Sequence, residues 1–336
     1  MTRKTILSIF LALLILTVIT IFWFKQQQPS WKVISPLESS KELLRLRPLE
    51  KYEFEKLKSR GGKRSEIILE KVLKEEDSFT SHLFSYASDG HKITGLLNLP
   101  KQEGELPVVV MLRGYVDQEI YETGVGTARA GEVYADNGFI TLAPDFLGYG
   151  GSDMPPDNVW EERFLRLTSV LDLLASINSL AQADMDKVFL WGHSNGGMVA
   201  LSILEISGGR YPTTLWAPVS QDFPYDILYY TYEFDDGGKA LRKSLADFEK
   251  DYDTDKYSFS KYLDWINAPL LVHQGTSDEY IPVWWSDNLV DKIKSQDKKV
   301  DYYLYSNADH NMKGSWNVVV QRDLDFFRSW LSKPSE

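Results

Sequence analysis

The chain has 336 residues, no cysteine and a formal net charge of −11. The missing thiols exclude disulfides, cysteine nucleophiles, thiolate zinc sites and cysteine-linked lipid anchors. The acidic balance argues against nucleic acid as a partner, a role that needs clustered Lys and Arg, while 43% apolar or aromatic and 25% charged residues suit a globular chain with a sizeable core.

The first element in chain order is "MTRKTILSIFLALLILTVITIFWFKQQQ", in which no charge follows Arg3 and Lys4 until Lys25. The apolar run from Thr5 to Phe24 is long enough to cross ~30 Å of hydrocarbon as a helix. A cleaved secretory signal has a shorter apolar stretch, about 7–15 residues, followed by a small-residue cleavage site. Here the run ends in Phe22, Trp23 and Phe24, which suit a membrane interface. Residues 1–28 are therefore expected to form an uncleaved single-pass anchor, with a cleaved signal as the alternative. Arg3 and Lys4 favour an inside amino end and an extracytoplasmic main domain, although Lys25 and Lys32 on the far flank count against that orientation.

Residues 29–80 read as a stalk or adaptor. "KELLRLRPLEKYEFEKLKSRGG" has helical spacing with a break at Pro48. The texture changes at 81–336. "HLFSYAS" and "KITGLLNLP" flank "DG", a hairpin signal. "LPVVVMLRGY" and "FITLAPDF" are continuous apolar runs, expected as strands buried on both faces. "TARAGEVYADNG" and "ERFLRLTSVLDLLASINSL" have helical periodicity. "DKVFLWGHS" is a strand and "NGGMVALSILEIS" a helix; "APLLVHQG" and "VDYYLYS" are strands, each followed by a helix. This alternation implies a mostly parallel sheet with helices on both faces and an antiparallel edge hairpin. The aromatic and acidic insertion at 219–264 interrupts it, and reads as a lid over the site or as a decorated surface loop.

The chemistry centres on "WGHSNGG". Gly192, Ser194 and Gly196 form G-x-S-x-G between a buried strand and a helix, the setting in which that motif presents a serine nucleophile. A serine hydroxyl needs a base. Of five histidines, His82 and His91 lie in the hairpin, His193 adjoins the serine with its side chain expected to point elsewhere, and His273 reads as a packed core residue. His310 lies in the loop after the last strand, at the carboxyl edge where open α/β sheets build their sites. The orienting carboxylate is expected to be Asp278, just past the penultimate strand. Glu279 and Asp287 are competitors, and Asp309 is too close in sequence to His310 to fold back on its ring. The Asn195 amide follows the nucleophile and supplies one oxyanion donor; Gly114 lets the chain turn so that the Tyr115 amide supplies the other. Neither a metal nor a cofactor is called for.

At these residues the sequence resembles the α/β-hydrolases, and within them the catalytic domain of the prolyl oligopeptidase-like serine peptidases and esterases. The matching segments are "SDGHKITGLLNLP", "PVVVMLRGYVDQEIYETG", "GFITLAPDFLGYGGSD", "WGHSNGGMVAL", "APLLVHQGTSDEYIPVWWS" and "ADHNMKGSWNVVVQRDLDFF". The resemblance implies an α/β-hydrolase fold and hydrolysis of short peptides through Ser194, Asp278 and His310, with small acyl esters as the alternative. A binding protein on a hydrolase fold is the rival of another class. Two departures stand out. The stretch between anchor and hydrolase domain is too short for the amino-terminal β-propeller common in such peptidases. Arg113 also stands where similar sequences often have histidine. The acidic, aromatic insertion suggests a substrate with a cationic or amine end. Oligomeric state is not legible.

Overall fold

Hairpin chemistry starts the sheet. β2 (Phe79–Ser88) and β3 (His91–Pro100) pair antiparallel with Ser88 opposite His91. The two residues between them, Asp89 and Gly90, have φ of 45° and 85°. Such a turn requires positive φ at both centres, which is why Asp-Gly occupies it. β4 (Leu106–Leu112), β5 (Ile140–Pro144), β6 (Ala183–His193), β7 (Thr213–Trp216), β8 (Leu270–Gly275) and β9 (Val300–Tyr305) are mutually parallel. With β1 (Ile68–Glu75) they form a sheet of order β1-β2-β3-β5-β4-β6-β7-β8-β9.

The computed structural model describes residues 46–331. The expected anchor, 1–28, lies outside them, as does 29–45 of the expected adaptor. No helix among the described residues is long and apolar enough to cross a membrane.

Helices cover the sheet in two groups. α2 (Ala128–Asp136) and α8 (Trp316–Leu331) meet through Tyr134 and Phe327, ring centroids 5.8 Å apart. α1 (Phe54–Arg60), α3 (Val159–Ser176) and α4 (Asn195–Ser207) pack together, and α7 (Val283–Lys294) lies against β8 and β9. The central strands β4 and β5 are buried along nearly their whole length, as their unbroken apolar runs require. The insertion carries α5 (Tyr225–Leu228), α6 (Lys239–Phe248) and several single 3-10 turns.

Residues 48–80, expected as adaptor, belong instead to the compact unit that starts at Pro48. They supply α1 and the edge strand β1, which places the expected edge hairpin one strand inward. Arg60 fixes this segment: its guanidinium binds both carboxylate oxygens of the buried Asp172 on α3, at 2.8 Å each.

Two buried carboxyl groups lead to opposite stability predictions. Asp323 on α8 is fully buried and accepts from the Tyr134 hydroxyl at 2.7 Å, the Trp216 indole at 2.9 Å, His273 Nε2 at 3.0 Å and the Thr214 hydroxyl. It ties α8 to α2, β7 and β8, and His273 is the packed core residue expected. Asp323→Ala strands these donors and should lower the unfolding free energy by about 3–5 kcal/mol in a urea titration.

Glu205 on α4 is equally buried, yet neither of its oxygens has a hydrogen-bond partner among the described residues. Burial, reinforced by the charge of Asp264, pushes its carboxyl well above the ordinary 4.5. The folded state therefore holds this proton more tightly than the unfolded chain, and stability falls as pH rises above the ordinary carboxyl value. Glu205→Leu should flatten that decline and add about 1–3 kcal/mol at alkaline pH. Melting curves from acid to alkaline pH would check it; a variant as pH-dependent as wild type would contradict the assignment.

Candidate active site

The turn between β6 and α4 holds Ser194 at φ 55° and ψ −122°, a strained conformation for a residue with a side chain. Three backbone bonds fix it. The Ser194 N–H donates to the Trp216 carbonyl at 2.9 Å, and its own carbonyl accepts from Gly197 and Val219 at 2.9 Å each. The turn tolerates no bulk: a Cβ on Gly196 would stand 1.8 Å from the Leu112 carbonyl oxygen. A Cβ on Gly114 would stand 2.9 Å from the Ser194 Cβ. The loop after β4 therefore reaches the serine through a glycine. The Tyr115 and Asn195 amides flank that contact, and neither donates a hydrogen bond among the described residues.

Asp278 follows β8. Its side chain is fully buried, and its Oδ1 accepts from the Tyr280 and Ile281 amides at 2.9 and 2.8 Å. Its Oδ2 lies 2.9 Å from His310 Nδ1 and accepts from the Gln274 amide at 3.1 Å. Burial alone would raise its pKa, but the His310 hydrogen bond and charge, with the two backbone amides, outweigh burial and hold the carboxyl below its ordinary range. The loops carrying the two side chains are cross-tied, Ser277 N–H donating to the Ala308 carbonyl at 3.0 Å. The competing carboxylates are engaged elsewhere or exposed. Asp287 accepts from the Tyr302 hydroxyl at 2.8 Å, Asp309 caps its own turn by accepting from Asn311 and Lys313 amides, and Glu279 faces solvent.

The Ser194 elbow follows β6, Asp278 follows β8 and His310 follows β9, all at the carboxyl edge of the parallel strands, the edge expected from the sequence. No hydrogen bond joins the Ser194 hydroxyl to His310 among the described residues. Such bonds are often open in free enzymes and tighten on substrate.

The contacts of three residues at the site escaped sequence reasoning. Gln274 is fully buried beneath Asp278; its amide N–H groups also meet the Gly275 and Ile281 carbonyls at 3.2 Å, and its carbonyl accepts from Ser286 at 2.7 Å. A polar pair, His273 and Gln274, inside a buried strand was the available signal. Arg113 fastens the loop after β4, donating to the Gly114 carbonyl at 3.0 Å and the Asp145 carbonyl at 2.8 Å. Its guanidinium lies 4.1 Å from the Tyr149 ring centroid and 4.4 Å from that of Tyr121. His193 points toward the His310 main chain: its Nε2 lies 3.0 Å from the His310 carbonyl oxygen.

The insertion contributes aromatic rings beside this edge. Tyr229 packs at 4.9 Å on the buried Trp285, and the Tyr230 hydroxyl lies 3.4 Å from the Tyr280 carbonyl oxygen. Tyr280 meets the His310 ring edge-on, centroids 5.2 Å apart. Asp226 on α5 is buried against Arg163 of α3, anchoring the insertion to the main body.

The model of the prolyl oligopeptidase family matches residues 131–334, more than half of the chain. The chain belongs to the prolyl oligopeptidase family. This family assignment makes it a serine hydrolase, peptidase or esterase. Among relatives, the uncharacterized peptidase YtmA of Bacillus subtilis is 25% identical over 71% of this chain and 89% of its own length. A putative carboxymethylenebutenolidase of Escherichia coli is 24% identical over 77% of this chain and 91% of its own. Acetyl xylan esterase 1 from Thermoanaerobacterium superposes with a TM-score of 0.59 at 16% identity, covering 83% of this chain and 94% of that one. The acylaminoacyl peptidase of Pyrococcus horikoshii gives 0.56 at 18% identity, covering 79% of this chain and 42% of that one. These likenesses carry the α/β-hydrolase fold.

Proposed function

We propose that this prolyl oligopeptidase-family member cleaves short peptides with Ser194 as nucleophile, His310 as general base and acid, and Asp278 as the carboxylate that orients His310. One observation carries this reading: a buried Asp278 side chain bonded to His310 Nδ1, at the sheet edge that also holds an elbow serine between two unpaired amides.

The steps follow from these groups. Asp278 keeps the His310 proton on Nδ1, so Nε2 is free to accept. As Ser194 Oγ attacks the acyl carbon, Nε2 takes the hydroxyl proton. The carbonyl oxygen becomes an oxyanion that accepts from the Tyr115 and Asn195 amides, each contributing about 2.7–4 kcal/mol at the transition state. Collapse breaks the scissile bond as His310 returns the proton to the leaving amine. Water, deprotonated by the same imidazole, then releases the acyl group and regenerates the serine.

The aromatic insertion at 219–264 acts in this reading as a lid, supported by Tyr230, whose hydroxyl lies beside Tyr280, the residue that meets the His310 ring. Its acidic composition favours substrates with an amine or cationic end. Residues 1–28, from their apolar run, anchor the enzyme with its catalytic domain outside the cytosol.

A carboxylesterase reading is favoured by the names of two relatives, the acetyl xylan esterase and the carboxymethylenebutenolidase. Parallel assays on aminoacyl anilides and nitrophenyl esters separate the two. The peptidase reading expects anilide turnover that disappears in Ser194→Ala. Ester turnover without anilide turnover would establish the alternative, and a peptide panel with no preference for positive charge would contradict the role given to the acidic insertion.

A further inference from the structure

His193 sits at the end of β6, one residue before the elbow serine, yet its ring belongs to the surroundings of His310. The two imidazole centroids are 4.6 Å apart with planes inclined by 37°. His193 Nε2 lies 3.0 Å from the backbone carbonyl oxygen of His310, a contact spanning 117 residues of sequence. A carbonyl only accepts, so Nε2 carries the proton. Trp191 and Trp216 flank the ring at 6.1 and 6.5 Å.

We propose that His193 is a positioning residue for the hydrolytic reaction: as a neutral imidazole with its proton on Nε2, it ties the loop of the base to the elbow of the nucleophile and sets the reach from His310 to Ser194. The inference rests on the assignment of Ser194 and His310 given above. Two features of the site call for such a tie. The hydroxyl of Ser194 is not bonded to His310 at rest, so their separation is set by backbone placement on two distant loops. His310 is otherwise held through Asp278, which fixes the tilt of its ring and leaves the approach of its loop to β6 open. His193 bridges that gap, because its backbone is continuous with Ser194 and its side chain ends on the His310 main chain.

Neutrality is part of the role. Burial, then the charge of the neighbouring His310, pushes the His193 pKa down to about 4. The ring thus stays uncharged when His310 takes the serine proton, and no like charge opposes that step. A displacement of reacting groups by about 1 Å costs on the order of a hundredfold in rate, so a tie of this kind acts on kcat rather than on substrate affinity.

The test uses the full chain in detergent with p-nitrophenyl acetate as probe. His193→Phe keeps the ring and removes the donor; His193→Gln puts an amide donor near the position of Nε2. His193→Phe is expected to lower kcat about tenfold or more with KM within about twofold, and His193→Gln to recover most of the loss, both variants melting near wild type. An unchanged kcat in His193→Phe, or a Gln variant no better than Phe, would overturn the proposal. Should the Phe variant fail to fold, His193→Gln against His193→Asn decides: the longer amide should be at least about fivefold faster, and equal rates would refute the tie. A wild type inert toward the probe, and unlabelled by a fluorophosphonate, would instead refute the underlying site.

Discussion

Ser194→Ala is expected to lower kcat/KM by about 10⁴- to 10⁶-fold on any ester or peptide that the enzyme turns over. The loss is large because the acyl-enzyme route disappears. What remains is water attack on a carbonyl polarised by the Tyr115 and Asn195 amides, worth about 10³–10⁴ over the uncatalysed reaction. The fold should survive. Ser194 is held by its backbone, through bonds to Trp216, Gly197 and Val219 that alanine keeps, so the melting temperature should stay within a few degrees. A residual rate above about 1% of wild type would point to another nucleophile.

Asp278→Asn is expected to lower kcat by about 10⁴-fold with little change in KM. The geometry specifies the cause. Oδ1 of Asp278 accepts two backbone amides, from Tyr280 and Ile281, and only the amide oxygen of asparagine can replace it there. The NH2 group must then occupy the Oδ2 position, facing His310 Nδ1 at about the present 2.9 Å. A donor there opposes a proton on Nδ1 and leaves it only the longer 3.1 Å contact to the Oδ1 position, so the balance shifts toward the Nε2-protonated tautomer, which cannot accept from the serine. The same NH2 would meet the Gln274 amide donor, now 3.1 Å from Oδ2, adding a stability loss of about 1–3 kcal/mol. Asp278→Ala, with no donor to impose the wrong tautomer, should lose less activity than the near-isosteric asparagine variant. The wild-type carboxyl, held below its ordinary range, stays charged as pH falls through the usual carboxyl value. Its contribution to stability is present above that value and is lost only as pH falls through the depressed one. The acid limb of kcat/KM should therefore carry no contribution from Asp278 at the usual carboxyl value.

Ser194, Asp278 and His310 could be proposed from sequence because each depends on a rule of local order; the structure brings Asp278 and His310 into hydrogen-bond contact. A G-x-S-x-G between strand and helix marks the elbow, and loops after parallel strands share one edge. The unbroken apolar runs of β4 and β5 and the Asp-Gly hairpin were legible for the same reason: each records a local burial or turn requirement. β1 was hidden because every one of its positions is exposed, and register shifts after Leu69 and Val72 break any alternation. His193 and Gln274 were missed since their partners lie in tertiary contact, and nothing in strand periodicity says which loop stands over the end of β6. Arg113 was seen as a departure from related sequences, but its contacts with the rings of Tyr121 and Tyr149 needed coordinates.

Fluorophosphonate labelling followed by peptide mapping is the direct test of Ser194 as a nucleophile activated by His310 and Asp278. One adduct is expected, on Ser194, forming at a rate that collapses in Asp278→Asn and His310→Ala. Labelling at another residue, or rapid Ser194 labelling that ignores the loss of His310, would contradict it.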